Sequence, residues 1–107
     1  MTPESLSKIL KSLRAGLAEL LGDRLEAVYL YGSQARGDAK PDSDIDVLIV
    51  IRGDFDYFNM VEKTGQFTAD LSLENDTVLS LVFVSKDDFI IRQTPLLMNI
   101  RRKGIPV

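Results

Sequence analysis

A small mixed β-sheet with helices packed on it, in the α/β or α+β class, is the fold that this sequence predicts. Three observations carry the expectation. Apolar, β-branched runs of strand length alternate with stretches whose apolar residues recur at helical spacing. The segment between the first two such runs, Ser33 to Ser43, is only eleven residues long, short for the crossover that parallel neighbours need, so those strands are expected to run antiparallel. No repeat, low-complexity tract or linker interrupts the 107 residues, which read as a single domain over 1–107.

The elements follow in order. Thr2 is placed to cap a helix with Pro3 at its first position, and Leu6, Ile9, Leu10, Leu13, Leu17, Leu20 and Leu21 then form one apolar stripe that ends at Gly22. Leu25 to Tyr31 reads as a strand stopping at Gly32. Ile45 to Ile51 is almost purely Val, Ile and Leu, the composition of a strand buried on both faces. Between them Gly37, Asp38, Lys40 and Pro41 make a turning loop. Asp54 to about Glu74 reads as a helix with Phe58, Val61, Gly65 and Thr68 on one stripe. Val78 to Val84 reads as a third strand, and Ser85 with Asp88 as a capping box for a helix over Lys86 to Arg92. Pro95 interrupts, and a last helix over Leu96 to Lys103 ends at Gly104.

Composition narrows the chemistry. The chain has no histidine and no cysteine, so any metal is held by oxygen, which favours Mg²⁺, Mn²⁺ or Ca²⁺ over zinc or copper. No apolar run approaches the ~18 residues of a membrane span and none resembles a signal peptide, so no membrane is expected and the cytoplasm is the default location. A net charge of −3 gives no general attraction to nucleic acid. Arg92, Arg101, Arg102 and Lys103 form a local exception, read most plainly as a solvated helix end complementing the helix dipole.

The chemistry converges on two short segments. Side chains alternate along a strand, so Asp44 and Asp46 share one face with Ile45 on the other. Side-by-side carboxylates repel, and a cation between them relieves that; Mg²⁺ bound by one or two carboxylates plus substrate phosphates fits this supply. Antiparallel pairing brings the end of the first strand, Gly32-Ser33, beside them. Gly32 lets the backbone approach a phosphate closely, and Ser33 is placed to cap the short helical turn after it and to offer its hydroxyl to phosphate oxygens. Arg36 has two readings, a reach to phosphate or a local ion pair with Asp38, and Gly37 reads as a loop residue at positive φ.

Gly32-Ser33-Gln34-Ala35-Arg36-Gly37 followed by Ser43-Asp44-Ile45-Asp46, that is Gly-Ser, ten residues, Asp-x-Asp, resembles the minimal nucleotidyltransferase family of the DNA polymerase beta-like superfamily. The closing segment Ile100 to Ile105 also looks like that family's C-terminal helix. The resemblance implies a mixed sheet, two Mg²⁺ ions on Asp44 and Asp46 with the nucleotide, and a nucleoside triphosphate, ATP in the first instance, with its phosphates on Gly32 and Ser33. Many relatives are antitoxins paired with HEPN-type RNase toxins, and some transfer AMP to the toxin, so the resemblance implies a HEPN-type partner protein and leaves a homo-oligomer open.

One position departs from the pattern. Active members place a third carboxylate on the strand assigned here to Val78 to Val84, and Ser80 stands in its place. Asp76 is about 13 Å away along a continuous strand, too far to share the metal, and Asp70 or Glu74 would have to substitute from the helix. Three readings follow: an active transferase moving an NMP to a partner protein; a catalytically weak nucleotide- or metal-binding antitoxin that acts by complex formation; and a small-molecule or RNA-end transferase, which would need an acceptor domain on another chain.

Overall fold

A computed structural model describes residues 1–107. Helix α1 (Pro3–Leu21) starts where Thr2 accepts a hydrogen bond from the Ser5 amide at 3.0 Å, and its leucine stripe buries Ile9, Leu10, Leu13, Leu17 and Leu21. A 3-10 turn over Gly22–Arg24 leads into β1 (Leu25–Tyr31), which is followed by a one-turn helix, α2 (Ser33–Arg36), and by β2 (Ile45–Ile51). The chain continues through α3 (Tyr57–Glu74), β3 (Leu79–Ser85), α4 (Lys86–Ile91), α5 (Pro95–Lys103) and the two-residue strand β4 (Ile105–Pro106).

The sheet runs in the order β3-β2-β1-β4. As the short connection requires, β1 and β2 are antiparallel, whereas the crossover through α3 returns β3 parallel to β2. Strand β2 is therefore central, and its side chains feed two cores. Ile45, Val47, Ile49 and Ile51 pack with Val28 and Leu30 under α1 and α3. Leu48 and Val50 pack with Val84, Leu97 and Ile100 under α4 and α5. This double burial accounts for the unbroken apolar run in β2.

Several boundaries and one face differ from expectation. Helix α3 begins at Tyr57, because Asp56 accepts from the Asn59 amide at 3.0 Å and so caps the helix there. Its buried stripe is Met60, Thr64 and Leu71, with Phe67 packed alongside, while Phe58 and Val61 of the expected stripe lie exposed. A Cβ added to Gly16 would collide with the Phe67 ring, so the glycine is what lets α1 and α3 approach there. Buried Thr64 is satisfied by the Met60 carbonyl at 2.9 Å.

Strand β3 begins one residue later than predicted, and Ser85, its last residue, caps α4 by accepting from the Asp88 amide at 3.1 Å. Pro95 does not interrupt: it is the first residue of α5, where the missing N–H costs nothing, with Thr94 as the cap. Strand β4 was not expected. Ile105 and Pro106 pair with Leu30 and Tyr29, and Val107 is held by its amide on the Val28 carbonyl at 2.9 Å and by Arg14 on its own carbonyl at 3.1 Å.

At the far end of the sheet from the Gly-Ser turn, Glu26 bridges β1 to Arg52 at 2.8 Å and to Lys86 of α4 at 2.9 Å. The hydrogen bonds from Arg52 and then Lys86 push its carboxyl from an ordinary 4.5 down to about 2. A depressed acid stabilises the fold above its unfolded value and ceases to do so as pH falls through its folded one. Glu26→Gln is therefore expected to lower the urea midpoint at pH 7, with the gap to wild type shrinking between about pH 4.5 and pH 2. Urea titrations of both proteins across that range check this.

Candidate active site

The register of the sheet builds the site. Tyr31 of β1 lies opposite Asp46 of β2, and Asp46 lies opposite Ser80 of β3, so these three positions form a row across one end of the sheet. Asp46 alternates with Val47, so it shares the face of Leu48 and Val50, under α4 and α5. Asp44 stands just ahead of β2, where the Ile45 amide bonds the Val78 carbonyl at 2.8 Å and fixes the strand entry. It is exposed, and Asp46 is partly buried.

The two halves of the motif touch at Gly32. Its backbone sits at φ 76 and ψ −157, a region essentially reserved for glycine. A Cβ built there would collide with the Asp46 carboxylate oxygen Oδ2. The missing side chain therefore serves two purposes, the turn out of β1 and the space that Asp46 occupies.

Electrostatics mark the same point. Burial first, and the neighbouring Asp44 second, raise the Asp46 carboxyl above the usual aspartate range, and Arg36 only partly offsets them. Burial, followed by the negative field of Asp46, likewise raises the Tyr31 hydroxyl. Neither Asp44 nor Asp46 forms an ion pair. No cluster of three or more His, Cys, Asp or Glu side chains forms anywhere in the chain. What the site offers a cation is two neighbouring carboxylates, one exposed and one partly buried, with no cationic side chain in ion-pair contact. That fits Mg²⁺, which binds through one or two carboxylates and keeps the rest of its shell for water and phosphate.

Beyond Gly32 the chain makes the single turn of α2. The Gly32 carbonyl accepts from the Ala35 and Arg36 amides, both at 3.1 Å, so Gly32 and not Ser33 is the cap. Ser33 is the first helical residue, and its hydroxyl bonds no backbone amide. The amides of Ser33 and Gln34 precede any intrahelical acceptor, which leaves them for an external one. Gly37 ends the turn in the left-handed conformation at φ 82, as expected. The Arg36 guanidinium pairs with Asp38 at 3.2 Å; both side chains are more than half exposed, where such pairs contribute little and open readily.

Asp70 and Glu74 do not join the site. Both belong to α3, which packs on the opposite face of the sheet from Asp46, and Asp70 accepts from Gln66 within that helix. Sequence reasoning also missed a cleft of about 260 Å³ beside Gly32, walled by Tyr31 and Arg36 on one side and by Asn99 and Lys103 of α5 on the other. The signal for it lay in Ile105-Pro106-Val107, a short apolar segment after Gly104.

Residues 8–102 match the family model for the nucleotidyltransferase domain. The chain belongs to that family. A protein of Methanocaldococcus jannaschii, named as a candidate protein adenylyltransferase, is 32% identical to this nucleotidyltransferase over 79 residues, which is 74% of this chain and 79% of that protein. The solved structure of a candidate minimal nucleotidyltransferase superposes with a TM-score of 0.65 at 23% identity, covering 100% of this chain and 97% of that one. A toxin–antitoxin structure with AMP-PNP gives a TM-score of 0.58 at 22% identity over 94% of this chain and 69% of that one. These superpositions show the shared mixed-sheet fold. No helix of this nucleotidyltransferase is long and apolar enough to cross a membrane.

Gly32→Ala is expected to destabilise the protein by about 1–3 kcal/mol, the cost of forcing a side chain into this backbone region, and to displace the Asp46 carboxylate. Chemical denaturation gives the first quantity. A loss no larger than that of an exposed control such as Gly37→Ala would show that the Gly32–Asp46 contact imposes no constraint.

Proposed function

We propose that this nucleotidyltransferase transfers an NMP, AMP in the first instance, from a magnesium-bound nucleoside triphosphate to a hydroxyl of a partner protein, and that the partner is a HEPN-type toxin which it neutralises in the cytoplasm. The observation that supports the reading is the contact between Gly32 and Asp46, by which the Gly-Ser turn and the Asp46 carboxylate meet at one end of the sheet. The protein-adenylyltransferase name of the archaeal relative and the toxin–antitoxin neighbour with AMP-PNP support the choice of AMP and of a protein acceptor.

In this reading Asp44 and Asp46 hold the divalent cations, which when bound neutralise triphosphate charge and lower the pKa of the attacking hydroxyl. Gly32 admits the phosphates to the backbone. The Ser33 hydroxyl and the free amides of the α2 turn hydrogen-bond their oxygens and fix the chain of phosphates. With the triphosphate so held, the acceptor oxygen forms its bond to the α-phosphorus, the bridging bond to the β-phosphate breaks, pyrophosphate leaves, and the acceptor's proton passes to solvent or to a base on the partner. A protein acceptor suits the exposed position of Asp44, because a docked surface covers it and excludes water.

Ser80 favours a second reading. It lies directly opposite Asp46 on β3, where the family resemblance implies a carboxylate, and a hydroxyl with an ordinary serine pKa is a poor general base. With no base from the partner, the chain would bind nucleotide and act as an antitoxin by complex formation. The decisive assay incubates the protein with each labelled NTP, Mg²⁺ and the product of the adjacent gene. The expected result is a mass increase of one AMP on the partner; a stable complex without labelling would select the binding reading, and robust transfer to a free sugar or RNA end by the isolated chain would contradict both.

Two outcomes follow for the site itself. Ser33→Ala is expected to weaken nucleotide binding by about 1–3 kcal/mol, the range for a hydrogen bond to a charged group, with the unfolding midpoint unchanged, as calorimetry and denaturation measure. Because Asp46 must be ionised to bind a cation and its carboxyl titrates above the ordinary range, Mn²⁺ affinity is expected to start falling at a higher pH than an ordinary aspartate would dictate. Titrations of Mn²⁺ from pH 7 downward follow that onset.

A further inference from the structure

The last turn of α5 carries Arg101, Arg102 and Lys103, a composition that suits a solvated helix terminus. The sheet places it elsewhere. Ile105 pairs with Leu30 and Pro106 with Tyr29 in antiparallel register, which draws the end of α5 to the end of β1, so that Lys103 and Gly104 line one cleft with Tyr31 and Gly32. Gly104 makes the junction tight: its amide bonds the Ile100 carbonyl at 2.8 Å, and an added Cβ would press on that same carbonyl at 2.7 Å. Helix α5 thus ends against the Gly-Ser turn, and Asn99, one helical turn before Lys103, lies on the same face.

Lys103 and Asn99 wall the cleft whose other wall is Arg36, with Gly32 between them. Lys103 makes no ion pair, and neither Lys103 nor Asn99 takes part in a side-chain hydrogen bond. Neighbouring Arg101 differs, since it is spent on the Phe89 carbonyl and on Gln93. No acidic side chain lines the cleft, although the Asp46 carboxylate lies against Gly32 at its edge, and Asp38 holds Arg36 through an exposed pair that opens readily. Two cations therefore line one polar cleft that adjoins the Gly-Ser turn.

We infer that Lys103, with Asn99, forms a second phosphate-binding group of this nucleotidyltransferase, closing with Arg36 on the distal phosphates of the triphosphate while Asp44 and Asp46 serve the other end. The inference rests on the nucleotide-binding reading above and adds specificity to it: a clamp at the distal end selects a triphosphate over a monophosphate. A lysine suits this use as a point charge on a long flexible stem.

Calorimetric binding of AMP-PNP, AMP and inorganic tripolyphosphate to the wild type, Lys103→Gln, Lys103→Arg, Asn99→Ala and Asp44→Asn/Asp46→Asn tests it. Lys103→Gln is expected to weaken AMP-PNP and tripolyphosphate by about tenfold or more, the cost of one charged hydrogen bond, and to leave AMP nearly unchanged. Lys103→Arg restores most of the loss, Asn99→Ala gives a smaller one in the same direction, and the double aspartate variant loses only the Mg²⁺-dependent part of AMP-PNP affinity. Equal affinities for Lys103→Gln and wild type, with binding lost in the aspartate variant, would overturn the clamp and leave the nucleotide reading standing. Absence of AMP-PNP and tripolyphosphate binding by the wild type would overturn both.

Discussion

Everything distinctive about this protein depends on one close contact, the Asp46 carboxylate lying where a Gly32 side chain would be. The contact is a consequence of antiparallel pairing between β1 and β2 in the register that sets Tyr31 against Asp46. Slipping that register by one residue would turn Asp46 to the other face, into the core beneath α1 and α3, and bring Ile45 and Val47 out of it. Hydrophobic burial therefore enforces the chemistry. A slip would bury the Asp46 carboxylate without a partner, and that cost holds the register in which Asp46 meets Gly32.

The same arrangement explains why the site is open. Strands β1 and β2 are packed along their length by helices on both faces, and the polar segments sit at their ends, with the end of α5 beside Gly32 and Asp44 left exposed. Asp46 is half inside this boundary, which is why burial is the largest influence on its carboxyl, while Asp44 stands outside it. A pair so placed lacks a cationic side chain in ion-pair contact, and each member raises the cost of charging the other. The sheet thus fixes Asp46, while the α2 turn carries the exposed Arg36–Asp38 pair.

The sheet, its antiparallel first pair and the meeting of Gly32 with Asp46 were legible in the sequence, because they rest on a β-branched run, a short polar loop and strand alternation. The stripe of α3 was not. Apolar residues occur on two sides of that helix, and only the Asp56 cap and the Gly16–Phe67 approach decide which side faces the core. Ser33 was misread as a cap for a related reason, since serine favours that position but Gly32, already at positive φ, takes it. Strand β4 escaped notice because two residues carry no periodicity, and with it went the placement of Asn99 and Lys103 beside the turn. Gly32 and Asp46 were found because long strands and a short connection announce the pairing that joins them, whereas the two-residue β4 announces nothing.

The account stands on a divalent cation and a nucleotide meeting at Asp44 and Asp46. Electron paramagnetic resonance of Mn²⁺ titrated into the protein with AMP-PNP reads that event directly. The account predicts weak Mn²⁺ binding alone, marked strengthening when AMP-PNP is added, and loss of the strengthened signal in folded Asp44→Asn/Asp46→Asn protein. Nucleotide-dependent Mn²⁺ binding that persists in that variant would place the ion elsewhere and contradict it.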